Sequence, residues 1–318
     1  MKILVTGGAG FIGSHVVDGL LRAGHEVAVL DNFSTGYRDN VNPRVKIYEA
    51  DLRDADAVNR AVSDFRPELI DHHAAQSEVP RSVRDPVFDA EVNLVGGINL
   101  LLAARAGQTS KIVFISTGGA LYGEPEVLPC QENHPIRPLS PYGTSKYCFE
   151  QYLGTFKRTF GLDYTVLRYT NVYGPRQGFE SEEGRVIALF ASRMILNRPV
   201  TIDGTGEQAR DMLYVADAVS ANLAVLTAGS GEAYNIGTGA PVTVNRIFVE
   251  LQQLSGYGLS PNYGPARQGD VYRIALDPHK AEQQLGWKAT VSLAEGLAAT
   301  VEDFRRMPDL DKRISGAT

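Results

Sequence analysis

Three glycines at fixed spacing, Gly7, Gly10 and Gly13, follow directly on a short apolar run, Lys2-Ile-Leu-Val-Thr6, and lead into an amphipathic stretch from Ser14 to Arg22. The run is apolar on both of its alternating faces, as a strand buried in a parallel sheet must be. Strand, glycine turn and helix in that order are the context of a dinucleotide site. The glycines permit a tight turn and let the backbone approach a pyrophosphate, which sits at the positive end of the helix, where Phe11 and Ile12 fall. The spacing is a variant of the usual Gly-x-Gly-x-x-Gly.

A second feature adds to it. His25-Glu-Val-Ala-Val-Leu30 reads as the next strand and ends in Asp31, followed by Asn32. An acidic residue about 20 positions after the glycines is placed to accept hydrogen bonds from the adenine-ribose hydroxyls. A carboxylate there would repel a 2′-phosphate, so the expected cofactor is NAD rather than NADP.

The first half continues to alternate. Val45–Glu49 reads as a third strand, ending at Ala50-Asp51-Leu52, and Asp54 can cap a helix from Ala55 to Asp64. A fourth strand ends in His72-His73-Ala74-Ala75, a helix runs from about Val87 through Arg105, and Lys111–Ser116 is a fifth strand. A helix from about Tyr142 to Phe160 precedes a sixth strand, Tyr164–Arg168. This alternation implies an α/β fold, a doubly wound parallel sheet of the Rossmann kind, with active residues beyond the carboxyl ends of the strands. Past about Asn171 the rhythm breaks into short helices (Arg185–Leu196, Val215–Leu226, Thr243–Leu254, Ser292–Arg305) between Gly/Pro-rich loops. We read residues 1–172 as the cofactor-binding domain, with some later segments returning to it. Residues 173–307 read mainly as a smaller substrate-binding lobe, and 308–318 as a loose tail.

Charge and cysteine usage bound the partners. A net charge of −6 and the lack of any basic run argue against nucleic acid. No apolar stretch approaches the roughly 18 residues of a membrane span, so no membrane partner is expected. Cys130 and Cys148 form no metal or disulfide pattern, and the chain reads as cytoplasmic. His72 and His73 are adjacent on a strand and point to opposite faces, so they read as packing around the cofactor rather than as metal ligands.

The most informative stretch for chemistry is Ser140-Pro-Tyr142-Gly-Thr-Ser-Lys146. Pro141 suits a helix start, and Tyr142 and Lys146, four residues apart, then share one face. A tyrosine of ordinary pKa, about 10, is a poor base near neutrality. A neighbouring ammonium favours the phenolate, and the nicotinamide cation adds to the effect. Such a tyrosine can take a hydroxyl proton while hydride leaves the same carbon.

Gly7 to Gly13, Asp31, Asp51-Leu52, His73-Ala74-Ala75, Asn93, Ser116-Thr117, the Tyr142/Lys146 pair and Arg168-Tyr-Thr-Asn171-Val-Tyr-Gly-Pro175 together resemble the extended short-chain dehydrogenase/reductases, closest to their nucleotide-sugar epimerase/dehydratase branch, from Met1 to about Phe304. The resemblance implies a retained NAD and 4-epimerisation of UDP-glucose and UDP-galactose. Tyr142 would deprotonate the sugar 4-hydroxyl, and Lys146 would hold the ribose and tune Tyr142. Cofactor contacts would come from Gly7, Gly10, Phe11, Ile12, Gly13, Asp31, Asn32, Asp51, Leu52, His73, Ala74, Ala75, Asn93, Ser116, Tyr142, Lys146 and Tyr169. Substrate contacts would come from Thr117, Gly118, Tyr142 and Asn171, with Arg210 and the Arg267-Gln-Gly-Asp270 motif on the diphosphate, a task suited to a forked guanidinium. It also implies a homodimer through the helices near 90–105 and 142–158, where apolar residues such as Leu94, Ile98 and Leu101 are compatible with an interface and equally with ordinary core.

The chain departs from the family pattern in three places. The third catalytic residue, a Ser or Thr four positions before the tyrosine of Tyr122-Gly123, is replaced by Gly118; Thr117 is the natural substitute, ahead of Ser116, an ordered water or Tyr142 alone. Gly118-Gly119-Ala120 also lacks the acidic residue of the dehydratases and decarboxylases, which favours epimerisation over elimination. Asp203 stands where relatives carry an aromatic residue against the base, and Ile274 falls near a bulky tyrosine that limits the sugar pocket in some epimerases. A smaller residue there would admit an N-acetylated hexosamine, so an epimerase of UDP-N-acetylglucosamine or UDP-glucuronate is the alternative reading, with a nucleotide-sugar dehydratase behind it.

Overall fold

The computed structural model describes residues 1–178, 186–266, 271–308 and 310–311. The first half lays down β1 (Lys2–Thr6), α1 (Phe11–Arg22), β2 (Glu26–Asp31), β3 (Lys46–Glu49), α2 (Ala55–Phe65) and β4 (Leu69–His72). There follow α3 (Val79–Arg84), α4 (Pro86–Ala90), α5 (Gly96–Ala106), β5 (Lys111–Thr117), α6 (Gly118–Leu121), α7 (Pro141–Phe160) and β6 (Asp163–Tyr169). The second half contributes β7 (Asn171–Tyr173), α8 (Val186–Ile195), β8 (Thr201–Asp203), β9 (Ala209–Tyr214), α9 (Val215–Ala224), β10 (Glu232–Ile236) and β11 (Pro241–Thr243). Then come α10 (Val244–Ser255), β12 (Asn262–Gly264), β13 (Arg273–Ile274), α11 (His279–Leu285) and α12 (Leu293–Arg306).

Seven strands form one all-parallel sheet in the order β10-β6-β5-β4-β1-β2-β3. The order reverses between β1 and β4, and there the two halves of a doubly wound sheet leave a crevice at their carboxyl ends. Period-two alternation makes the strands apolar on both faces. Ile3 and Val5 enter one core with Val17, Val29 and Leu213; Leu4 enters the other with Ile70, Phe114 and Phe149. The seventh strand, β10, comes from the second half of the chain, where pairing with β6 puts Tyr234 against Leu167.

The second half departs from the expected succession of helices and loops. β9 pairs with β11, β13 and β7, and β8 pairs with β12. Most of these strands span two or three residues, too short for alternation to register. Their core joins Phe190, Phe248, Leu251, Leu297 and Phe304. Leu310, assigned from sequence to a loose tail, is buried in this cluster.

The expected helix from Val87 begins one residue earlier, at Pro86, where Asp85 Oδ1 accepts from Phe88 N–H at 3.1 Å, and Glu91–Val95 is a π-helical turn inside it. This run, Pro86–Ala106, is 21 residues, long and apolar enough by length and composition to cross a membrane, contrary to the sequence expectation; here it packs against α2 and α7 as a core helix.

Candidate active site

One cleft of about 1020 Å³ lies over the carboxyl ends of β1, β2, β4, β5 and β6 and reaches across to β8 and β9. Its floor is the glycine turn. Gly7 has φ +70, and a Cβ on it would lie 2.6 Å from the Ala74 nitrogen; a Cβ on Gly13 would lie 2.2 Å from the Gly7 carbonyl oxygen. Both positions therefore demand glycine to let β1, α1 and the His73–Ala75 segment close up. No side chain caps α1 at Gly10, so its first N–H groups face the cleft. That arrangement is an anion site at a helix N-terminus.

Asp31 closes the far side of the turn. Its Oδ2 accepts from Ala9 N–H at 2.9 Å and its Oδ1 from Phe33 N–H at 2.8 Å, while burial pushes its pKa up against those bonds. A carboxylate has about four acceptor sites, so capacity remains for two vicinal hydroxyls. Asn32 Nδ2 donates to Asp51 Oδ2 at 2.8 Å, and Arg53 forks onto Asp51, holding that carboxyl down at about 2. Asn32, Asp51 and Leu52 line the cleft with Ser34, Thr35 and Tyr37. The Ser34–Tyr37 segment was not singled out from sequence. Its available signal is Gly36, whose Cβ would sit 2.8 Å from that of Ala9. A helix N-terminus for a diphosphate and a buried acceptor for a ribose fit an NAD molecule.

The reacting end is built by β5 and α7. Ser140 caps α7, its Oγ accepting from Gly143 N–H at 3.2 Å, and Pro141 takes the first helical position. Tyr142 and Lys146 then project from one face toward the end of β5. Thr117 lines the cleft with Tyr142, and its Oγ1 accepts from Ala120 N–H at 3.2 Å, capping α6. The Ser116 hydroxyl is spent elsewhere, donating to Glu150 Oε1 at 2.6 Å.

Gly118 turns away from the cleft. A Cβ there would lie 2.4 Å from Leu276 Cδ1, so the position assigned to the missing catalytic side chain points into packed protein. Counting back from Tyr122 lands one residue past the hydroxyl because the chain enters α6 immediately after Thr117.

Electrostatics at the pair differ from the sequence expectation. Burial pushes Tyr142 up to about 12, with Thr117 the group that opposes it, and pulls Lys146 down to about 7. In the protein alone, desolvation thus outweighs any pull of Lys146 on the phenol. Lys146 is 4% exposed, and its Nζ stands 4.5 Å above the Phe114 ring centroid.

Behind the pair lies a buried ionic network. Arg168 pairs with Glu150 at 2.7 Å and donates to the Tyr122 hydroxyl at 3.0 Å. The sequence signal was an arginine inside an apolar strand, which needs a buried partner; α7 supplies it one turn past Lys146. His72 packs on Phe114 and Phe149, both centroids at 5.5 Å, and its Nδ1 meets Thr6 Oγ1 at 2.7 Å. His73 lines the cleft with its Nε2 3.0 Å from Asp71 Oδ1, without hydrogen-bond alignment.

Ala74, Ala75, Ser116, Tyr169, Asn171 and Arg210 also line the cleft. Arg210 Nη1 donates to Ala209 O at 3.1 Å and to Tyr272 O at 3.3 Å. Asn93 is not on the wall. It is 3% exposed, and its amide bonds Gln76, Asp89 and Ser145. Ile274 is not on the wall either; it is 1% exposed and packs with Tyr122, Cys130 and Leu276, because β13 pairing on β9 turns it inward. Arg267 and Asp270 lie outside the described residues. Leu101 is fully buried and so belongs to the core rather than to an exposed face.

The family model that matches the chain, over residues 3–237, is that of the NAD-dependent epimerase/dehydratase family. The chain is 41% identical over 311 residues to the UDP-glucose 4-epimerase of Mycolicibacterium smegmatis, covering 96% of this chain and 99% of that protein. It is similar to the solved UDP-glucose 4-epimerase of Thermotoga maritima with UDP-glucose (TM-score 0.94, 48% identity, 96% of this chain and 99% of that one). It is also similar to the Thermus thermophilus UDP-glucose 4-epimerase in complex with NAD (TM-score 0.92, 45% identity, 97% and 100%).

Proposed function

The chain belongs to the NAD-dependent epimerase/dehydratase family, and from that premise we propose that it is an isomerase interconverting UDP-glucose and UDP-galactose at C4. The observation that carries the reading is that Thr117, Tyr142 and Lys146 share the wall of one cleft with the glycine turn. Held by the α1 N–H groups and Asp31, NAD would supply a reversible hydride acceptor for C4. The chain's own residues do the rest. Tyr142 takes the proton of the sugar 4-hydroxyl and returns it when the configuration has inverted. Thr117 donates to the Tyr142 oxygen and favours its ionised form. Lys146 supplies an ammonium donor for ribose hydroxyls and a positive charge near the phenol. The first N–H groups of α1 hold the cofactor diphosphate, and Asp31 accepts from the adenine ribose. Asn171 and Arg210 face the nucleotide sugar. No carboxylate stands among Gly118, Gly119 and Ala120 to drive elimination, which supports epimerisation over dehydration.

The test is isotopic. UDP-galactose carrying deuterium at C4 should yield UDP-glucose with the label still at C4 in ordinary water. Loss of the label to solvent would exclude a hydride held by the enzyme.

The same reading makes the protein a cytoplasmic homodimer serving galactose metabolism. Exposed apolar side chains on α5 and α7, Leu102 and Tyr152 among them, beside Val95 in the preceding π turn, support association through these helices, and both cysteines are free thiols. Light scattering should give a dimer that Leu102→Glu weakens; a monomer in the unsubstituted protein would contradict it.

A further inference from the structure

Near the end of β4 lies a buried polar pair that epimerisation through Tyr142 leaves unused. The Asp71 side chain is 0% exposed and stands in register with Val5 of β1 and Val113 of β5. Neither of its oxygens makes a hydrogen bond to any described residue. His73 lies two positions on. Its N–H still bonds Thr6 O at 3.0 Å, so strand alternation carries its ring to the face of Asp71, while His72 turns to the other face against Phe114. His73 lines the cleft and brings Nε2 to 3.0 Å from Asp71 Oδ1. Apolar surroundings make such a carboxylate costly to bury, and apolar side chains in place of a buried pair are often neutral or stabilising. Packing therefore does not explain Asp71.

The pair sits on the nicotinamide side of the sheet. β1 and β2 carry the glycine turn and Asp31, the adenosine side. β4 opens the other half, whose strands β5 and β6 bring Thr117 and Tyr169 to the cleft. Lys146 stands on the opposite face of this half, its Nζ above the Phe114 ring. Val113 and Phe114 are consecutive on β5, so Asp71 and Lys146 flank the end of the sheet from its two faces. The buried carboxylate of Glu150 is paired with Arg168 at 2.7 Å, whereas Asp71 has no arginine or lysine against it among the described residues.

We propose that Asp71 sets the redox balance of the bound cofactor: its buried carboxylate favours the cationic, oxidised nicotinamide over the neutral, reduced one, and so favours return of hydride to the sugar over its retention. The proposal rests on the reading of the cleft as the NAD site of an epimerase. The oxidised ring carries one positive charge and the reduced ring, with one hydride more, carries none. A fixed negative charge behind the wall therefore stabilises only the first. An epimerase has to give the hydride back in every turnover, and a cofactor left reduced ends the cycle. Lys146 in its ammonium form acts in the opposite sense, and Asp71 offsets it from the other face.

The test is the midpoint potential of the cofactor in holoenzyme, followed by the absorbance of the reduced ring in a mediated redox titration. Asp71→Asn, which keeps the shape and removes the charge, should shift the ratio of affinities about tenfold toward the reduced form. That is a rise in potential of about 30 mV for this two-electron couple. Asp71→Val, matched to its valine neighbours, should give the same rise, so the test survives if one of the two variants does not fold. General loosening of the site weakens both forms alike and leaves the potential in place. An unchanged or lower potential in either folded variant would overturn the proposal. The measurement uses no nucleotide sugar, so a chain that failed to epimerise would sink the proposed reaction without altering this result.

Discussion

Thr117, the last residue of β5, shares the cleft wall with Tyr142 on the first turn of α7, and its hydroxyl is the group that opposes the upward push of burial on the Tyr142 phenol. It stands there because Thr117 is the last extended residue before α6 begins. If the Thr117 hydroxyl supplies the donor that stabilises a phenolate, Thr117→Val should lower kcat about 100-fold with little change in KM, a loss of the size seen when one preorganised donor is removed. Thr117→Ser should keep most of the activity. Steady-state kinetics on UDP-galactose check this; an unchanged kcat in Thr117→Val would remove Thr117 from the chemistry.

Burial of Lys146 should cost stability. Its folded value is about 7, below that of an ordinary lysine. Below pH 7 the ammonium is buried in full and the cost is fully present. Between about pH 7 and pH 10.4 the unfolded chain binds more protons than the folded one, so stability rises with pH as the cost is relieved. Lys146→Met should therefore stabilise the cofactor-stripped protein by a few kcal/mol at pH 6, with the gain shrinking toward pH 10, while activity is lost. Urea unfolding at the two pH values is the measurement; a pH-independent difference would contradict the linkage.

Gly118 is a packing requirement rather than a lost catalytic residue. Gly118→Ala drives a methyl group against Leu276 and should cost about 1–3 kcal/mol. Gly118→Ser should restore no extra turnover. Thermal melts of the single variants and of Gly118→Ala combined with Leu276→Ala would show the coupling: the double variant should lose less than the sum of the two.

Ile274 lies behind the cleft wall, so it does not set the breadth of the sugar pocket. Ile274→Tyr should overpack the cluster of Tyr122, Cys130 and Leu276 and lower the melting temperature. The ratio of kcat/KM for UDP-glucose to that for UDP-N-acetylglucosamine should stay within about threefold. A large change in that ratio with unchanged stability would return Ile274 to the pocket.

The parts of this molecule that sequence carried furthest are those where local chemistry and global fold coincide. Gly7 and Gly13 could be read because steric crowding at the turn admits no other residue, and Asp31 because the spacing from the glycines to the end of β2 is fixed by one helix. Tyr142 and Lys146 share a face by helical periodicity alone. What escaped depends on which way a side chain points after a strand ends. Thr117 faces the cleft and Gly118 the packed interior because α6 begins between them, and Ile274 turns inward through a two-residue pairing with Ala209 and Arg210 that leaves no periodic trace. Asn93 and Asp89 belong to a polar knot assembled by a π turn, a register change invisible in the hydrophobic pattern.

The central claim, that this chain carries out 4-epimerisation with a cofactor it retains, is tested most directly by incubating the purified protein with UDP-galactose and no added NAD and following the nucleotide sugars by chromatography. Formation of UDP-glucose is the predicted result. No conversion, even in a parallel incubation supplied with NAD, would contradict it.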